Sequence, residues 1–299
     1  MNTPSQAMNQ HFDSQAAAPA LIRETRPLYW SICRELWEYR SIYIAPLAVA
    51  AVSLFAFLIA TIGRAMAAAK PEQRLAVLAQ PYEFAAGLPM LAAMLIGAYY
   101  CLDTFASERR DRSILFWKSL PVSDLTTVLA KGTVMFVVLP LIVCALMVAL
   151  EVVMVLLSTL IVAGSGLSTA TFWAQVTPFQ MLIGLLYHTI TVHVLWHAPF
   201  YGWMMLVSSW ARRAAILWAA LPPLAVGLFE MIAFHTTYFG HFMLYRLSGP
   251  DTMSSDPFSP MAVHSSGHFL MMPGLWIGLL FTALCLWGAA RLRRSHGPI

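Results

Sequence analysis

Between Glu151 and Arg212 the chain runs for 60 residues without an Asp, Glu, Lys or Arg. A water-facing surface cannot be made from such a stretch, whereas a hydrocarbon core about 30 Å thick takes about 20 apolar helical residues per crossing. The run is too long for one crossing, and the turn-forming Gly164-Ser165-Gly166 and Pro178 interrupt it, so the chain must turn and cross back. Composition agrees, with 59% hydrophobic and 11% charged residues and a mean hydropathy of +0.69. Ordinary globular chains carry about 25% charged residues, so much of this surface faces lipid rather than water. The predicted fold class is all-α, a polytopic membrane protein. A soluble enzyme, a secreted disulfide scaffold and a disordered chain are excluded. Cys33, Cys101, Cys144 and Cys285 are scattered, with no CxxC spacing for a metal clamp or redox pair.

Charge-free segments predict six spans, at about 41–63, 84–106, 132–163, 179–209, 214–234 and 270–290. The third tolerates Glu151, and the fifth tolerates Pro222, Pro223 and Glu230. Residues 1–26 read as a disordered tail rich in Ser, Gln, Asn and Ala, and 292–299 as a second tail. Over 27–40, Tyr29, Ile32, Cys33, Leu36 and Trp37 recur at helical spacing while Arg34, Glu35 and Glu38 fall mainly to the other side. This pattern predicts an amphipathic interfacial helix with its aromatic rings at headgroup depth. Six crossings alternate the loops between two sides, placing 14 Lys and Arg residues on one and 4 on the other. Both termini are therefore expected to be cytoplasmic. Nucleic acid is not an expected partner of basic residues spread this way.

Residues 108–121 follow the second span on the basic side. The charge knot Glu108-Arg109-Arg110-Asp111-Arg112 leads into the apolar Ile114-Leu115-Phe116-Trp117, and Pro121 stops the segment. Charged ends orient a partner and buried aromatic groups such as Phe116 and Trp117 supply contact energy, so the segment has the character of a docking element. An ordinary basic loop has the same charge pattern.

A second span ending in Phe105-Ala106-Ser107-Glu108-Arg109-Arg110, followed by Ser119-Leu120-Pro121-Val122-Ser123 and then Leu129-Ala130-Lys131-Gly132, resembles the membrane subunits of type-2 ATP-binding-cassette (ABC) exporters. The resemblance covers most of the chain. It implies a permease subunit that is not itself an enzyme, preceded by an interfacial helix and paired as a homodimer or heterodimer. Between spans two and three it implies a coupling helix seated on a separate cytoplasmic ATPase subunit. By the same likeness, Glu108, Arg109, Arg110, Asp111, Arg112, Phe116 and Trp117 would contact or orient that ATPase, and Pro121 would end the coupling helix. The outer segment 235–269 is similar to an element that dips back into the membrane as short helices. ATP and Mg would be held by the partner, consistent with the lack of a GxxxxGK[ST] phosphate loop in this sequence. The resemblance implies a cell (plasma or inner) membrane location and outward transport.

Polar groups inside the spans are the other candidates. Glu151 is costly in a helix centre, so it is a candidate substrate-pathway residue or a partner for another helix. Glu230 is expected to lie near outer headgroups. In an α-helix, His193 and His197 share a face, as a metal site requires, while His188 lies off it. A histidine-based membrane metalloenzyme or haem-binding protein is therefore the alternative reading, and hydrogen bonding between helices is the plainer role for these residues. No HExxH or GxSxG occurs.

Overall fold

A computed structural model describes residues 26–67, 81–111, 113, 122–164, 168–249 and 269–295. Every regular element among them is helical, and six helices are long and apolar enough to cross a membrane. The elements are α1 (Pro27–Glu38), α2 (Ser41–Ala67), α3 (Pro81–Asp103), α4 (Ala106–Arg110), α5 (Asp124–Thr133), α6 (Leu139–Gly164), α7 (Thr169–Val176), α8 (Pro178–His188), α9 (Ala198–Trp210), α10 (Ala215–Phe234), α11 (Tyr238–Ser248) and α12 (Pro273–Ser295). Two wide-turn π-helical stretches join successive pieces, Val134–Val138 between α5 and α6 and Thr189–Trp196 between α8 and α9.

Each predicted span has a helix, and the differences lie at the ends. The third begins early, at Asp124, because the Ser123 side chain caps it by accepting the Thr126 N–H at 3.0 Å. The last continues to Ser295, so a tail beginning at residue 292 is corrected: Arg293 lies in the helix with its side chain buried against α4 and α5. Residues 112 and 114–121, which carry most of the expected coupling helix, lie outside the described residues, as does most of 1–26. Of the 235–269 segment, α11 is described.

α3, α9 and α12 form the centre, with α2 against α3 and α6, and with α1 and α12 against α5. Gly202 brings α9 and α12 backbones close, since a Cβ there would lie 3.1 Å from the Thr282 Cα of α12; small residues let membrane helices meet this way. α10 is different. It is apolar all round, and only Ala219 along it is buried. Pro223 has no N–H for the Ala219 carbonyl one turn earlier, and Trp203 Nε1–H takes that carbonyl instead at 3.0 Å. Near the far end of α10, Glu230 accepts the backbone N–H groups of Tyr238 and Phe239, both at 2.8 Å, so its carboxylate caps α11.

α1 turns Glu35 inward, fully buried beside the partly buried Ile32 and Leu36, while Trp30 and Trp37 are 61% and 70% exposed. Exposed rings of this kind suit a helix beside a bilayer, and the carboxylate meets cations inside the protein.

Candidate functional site

The inward face of α1 leads to the densest polar cluster in the described structure. Glu35 Oε1 accepts from Lys131 Nζ at 2.8 Å, and Glu35 Oε2 accepts from the Tyr100 and Thr104 hydroxyls at 3.1 and 3.4 Å. Lys131 also donates to the Thr104 carbonyl at 3.0 Å and lies 3.1 Å from Glu108 Oε1. Glu108 is the hub, because Arg34 approaches the same carboxylate at 3.2 Å and Arg293 Nη1 bonds its other oxygen. Arg34 pairs in addition with Glu35, and Arg293 Nε donates to Asp124 Oδ1 at 2.9 Å. Three carboxylates, Glu35, Glu108 and Asp124, thus meet three cations, Arg34, Lys131 and Arg293, and the cluster is neutral. Burial works against the charge on Arg34, yet Glu35 and Glu108 overcome it and hold its guanidinium above its ordinary pKa.

Local folding explains how these groups meet. α3 ends at Asp103, and the chain kinks through Thr104 and Phe105 before α4. Ser208 of α9 holds the kink: its hydroxyl donates to the Leu102 carbonyl at 2.8 Å and accepts from the Phe105 N–H at 3.2 Å. The kink aims Glu108 into the bundle, where it is 1% exposed. Arg109 turns the other way along the same helix and donates to the carbonyls of Ser208, Ser209 and Ala211, the last at 2.8 Å. These carbonyls end α9 and lack intrahelical partners, so Arg109 caps that helix.

The charge knot therefore divides. Glu108 and Arg109 are internal, while Arg110 and Asp111 keep side-chain exposures of 67% and 63% and pair loosely with each other at 3.6 Å. Among the described members of the expected docking segment, Arg110 and Asp111 are the exposed ones. Arg112, Phe116, Trp117 and Pro121 lie outside the described residues. Sequence reading gave no role to Asp124 and took Lys131 and Arg293 as loop charge and Glu35 as the polar side of a surface helix, so it missed all four. No local signal in the sequence connects them.

The helix that carries the histidines is π-wound over Thr189–Trp196, with His188 in the α-helix before it and His193 inside the wider stretch. His193 and His197 have ring centroids 6.3 Å apart. His197 is fully engaged, with Nδ1 2.8 Å from the Val192 carbonyl and Nε2 2.8 Å from the Leu247 carbonyl of α11. Both ring nitrogens face carbonyl oxygens, so neither opens onto a space where a metal could sit. No group of three or more metal-ligating side chains occurs among the described residues. His193 Nε2 and the Tyr201 hydroxyl are enclosed without hydrogen-bond partners, and so are both carboxylate oxygens of Glu151 midway along α6.

No protein-family model, curated protein or solved structure matches this chain.

Proposed function

We propose that the chain is the membrane permease subunit of an ABC-type exporter, working in pairs and driven by a separate cytoplasmic ATPase. Three things support this reading: the six-span helical architecture, the Phe105–Arg110 and Ser119–Ser123 motifs at the basic end of span two, and the chemistry beneath that loop. The observation that carries it is Glu108. It lies four residues before Arg112 and bonds to α1 through Arg34, to the third span through Lys131 and to the last span through Arg293. A push on the loop by a partner would reach three helices through one carboxylate, and a charge cluster with its partners fixed transmits displacement with little slack. In this reading the exposed Arg110 and Asp111, with Phe116 and Trp117, meet the ATPase, while Glu108 and Arg109 position the segment from within. ATP and Mg bind the partner chain. The carboxylate of Glu151 is the candidate contact for a cationic or hydrogen-bonding substrate inside the bundle.

Co-expression with candidate ATPase subunits, purification in mild detergent and assay of vanadate-sensitive ATP hydrolysis test the proposal. A stable complex is expected, and Arg110→Ala with Asp111→Ala, Phe116→Ala and Trp117→Ala should abolish stimulated hydrolysis while the chain stays folded. Retention of full coupling by that folded quadruple variant, or transport by the purified chain alone, would overturn the reading.

A further inference from the structure

We infer that Arg246 marks a binding site for the phosphate of an anionic membrane lipid, at the end of the bundle remote from the ionic cluster. Arg246 is the last buried cation of the described structure to be accounted for, being 5% exposed at the end of α11. Its guanidinium lies over the Trp196 ring, 4.2 Å from the centroid, and Nη2 donates to the Gly274 carbonyl at 2.9 Å. It sits in a notch of α12 that exists because residue 278 is glycine: a Cβ there would come within 1.7 Å of Nη2 and 2.9 Å of Pro199 Cγ. No carboxylate pairs with it among the described residues. Glu230, the acid of the neighbouring α10, is committed to the Tyr238 and Phe239 N–H groups at the opposite end of α11. At 1.5 Å per residue, Tyr238 to Arg246 is about 12 Å.

Depth makes this unusual. Arg293 belongs to the ionic cluster and lies fifteen positions beyond Gly278 on the same helix, so about 22 Å of a candidate membrane span separates the level of Arg246 from that cluster. A cation at that depth tends to mark a ligand or a partner. An indole face and one carbonyl solvate it incompletely, because a guanidinium has five N–H donors in a planar fork suited to oxyanions. Among the described residues the Gly274 carbonyl is the one acceptor on this fork, which leaves N–H donors for an oxyanion. The surroundings select a lipid-borne anion. Leu244, Leu247, Trp276, Ile277 and Leu280 on α11 and α12 are all 47% exposed or more, an apolar rim along which acyl chains can lie while the phosphate reaches the fork. This inference does not depend on the exporter reading, since it concerns ligand retention by the chain alone.

The test is native mass spectrometry of the full chain in detergent, titrated with phosphatidylglycerol or phosphatidylcholine, alongside thermal unfolding in each lipid and in inorganic phosphate. Wild type should retain phosphatidylglycerol about tenfold better than phosphatidylcholine, and Arg246→Gln should bring the two within about twofold. Arg246→Lys, which keeps the charge and loses the fork, should fall between. Arg212→Gln with Arg213→Gln, exposed at the other end, should keep the preference. Equal retention of the two lipids by wild type would overturn the site without any variant, as would an undiminished preference in Arg246→Gln. Stabilisation of wild type by free phosphate in place of phosphatidylglycerol would overturn the lipid source.

Discussion

Lys131 and Arg246 are both buried cations in an apolar bundle, and they are solvated in opposite ways. Lys131 is held by two carboxylates and by the hydroxyl and carbonyl of Thr104, in a neutral cluster that ties four chain segments together. Arg246 has an indole face, one carbonyl and no carboxylate among the described residues. A cation whose needs are met internally acts as a fastener, and the burial that makes it stable also makes it expensive to break. A cation left short of an anion among the described residues is suited to receive one from outside them. One end of the bundle is thus organised to hold its helices together, the other to receive a ligand.

The largest effect that would break this contrast is at the fastener. Lys131→Ala leaves Glu35 and Glu108 short of a cation and should cost about 3–5 kcal/mol, read by thermal unfolding in detergent. Glu35→Leu combined with Lys131→Met, which replaces the pair with apolar groups of similar volume, should recover at least half of that loss. A loss from Lys131→Ala below about 1 kcal/mol would mean the cluster is not sealed from water. Gly278→Ala is next: its Cβ must displace the guanidinium or α12, at about 1–3 kcal/mol, and it should also weaken anionic-lipid retention. His197→Phe removes the one ring N–H available to the Val192 and Leu247 carbonyls and should cost about 1–2 kcal/mol without changing the metal content found by elemental analysis. Arg246→Gln sharpens the comparison most directly. Removing a poorly compensated charge should alter stability in neutral lipid by no more than about 1 kcal/mol, against the much larger loss at Lys131. The smallest expected effect is Arg110→Ala, within about 1 kcal/mol because its ion pairs are exposed; any loss of ATPase coupling would then come from the surface rather than from unfolding.

Helix number and approximate placement were legible in the sequence because they follow from local quantities: the lengths of charge-free runs, and punctuation by Gly164 and Pro178. That the last helix runs on to Ser295 was not legible, because Arg293 was read by its own charge alone and its partner Glu108 is 185 residues away. Likewise Glu35 and Lys131 are separated by 96 residues, and no periodicity or spacing rule connects them. The sequence put His193 and His197 on one face, and their rings do lie close together in the wider-wound stretch. The division of the charge knot into inward Glu108 and Arg109 and outward Arg110 and Asp111 was not legible. The kink at Thr104 and Phe105, set by Ser208 of a distant helix, determines which way each side chain points.

By itself the sequence determined that this protein is a helical membrane bundle, since the free energy of placing each segment in lipid or water is largely a sum over its own residues. Which charges are fasteners and which are left open was decided only by the tertiary structure. A buried charge is stabilised or stranded by whatever packs within about 4 Å of it, and those neighbours come from helices that the chain brings together only when it is folded.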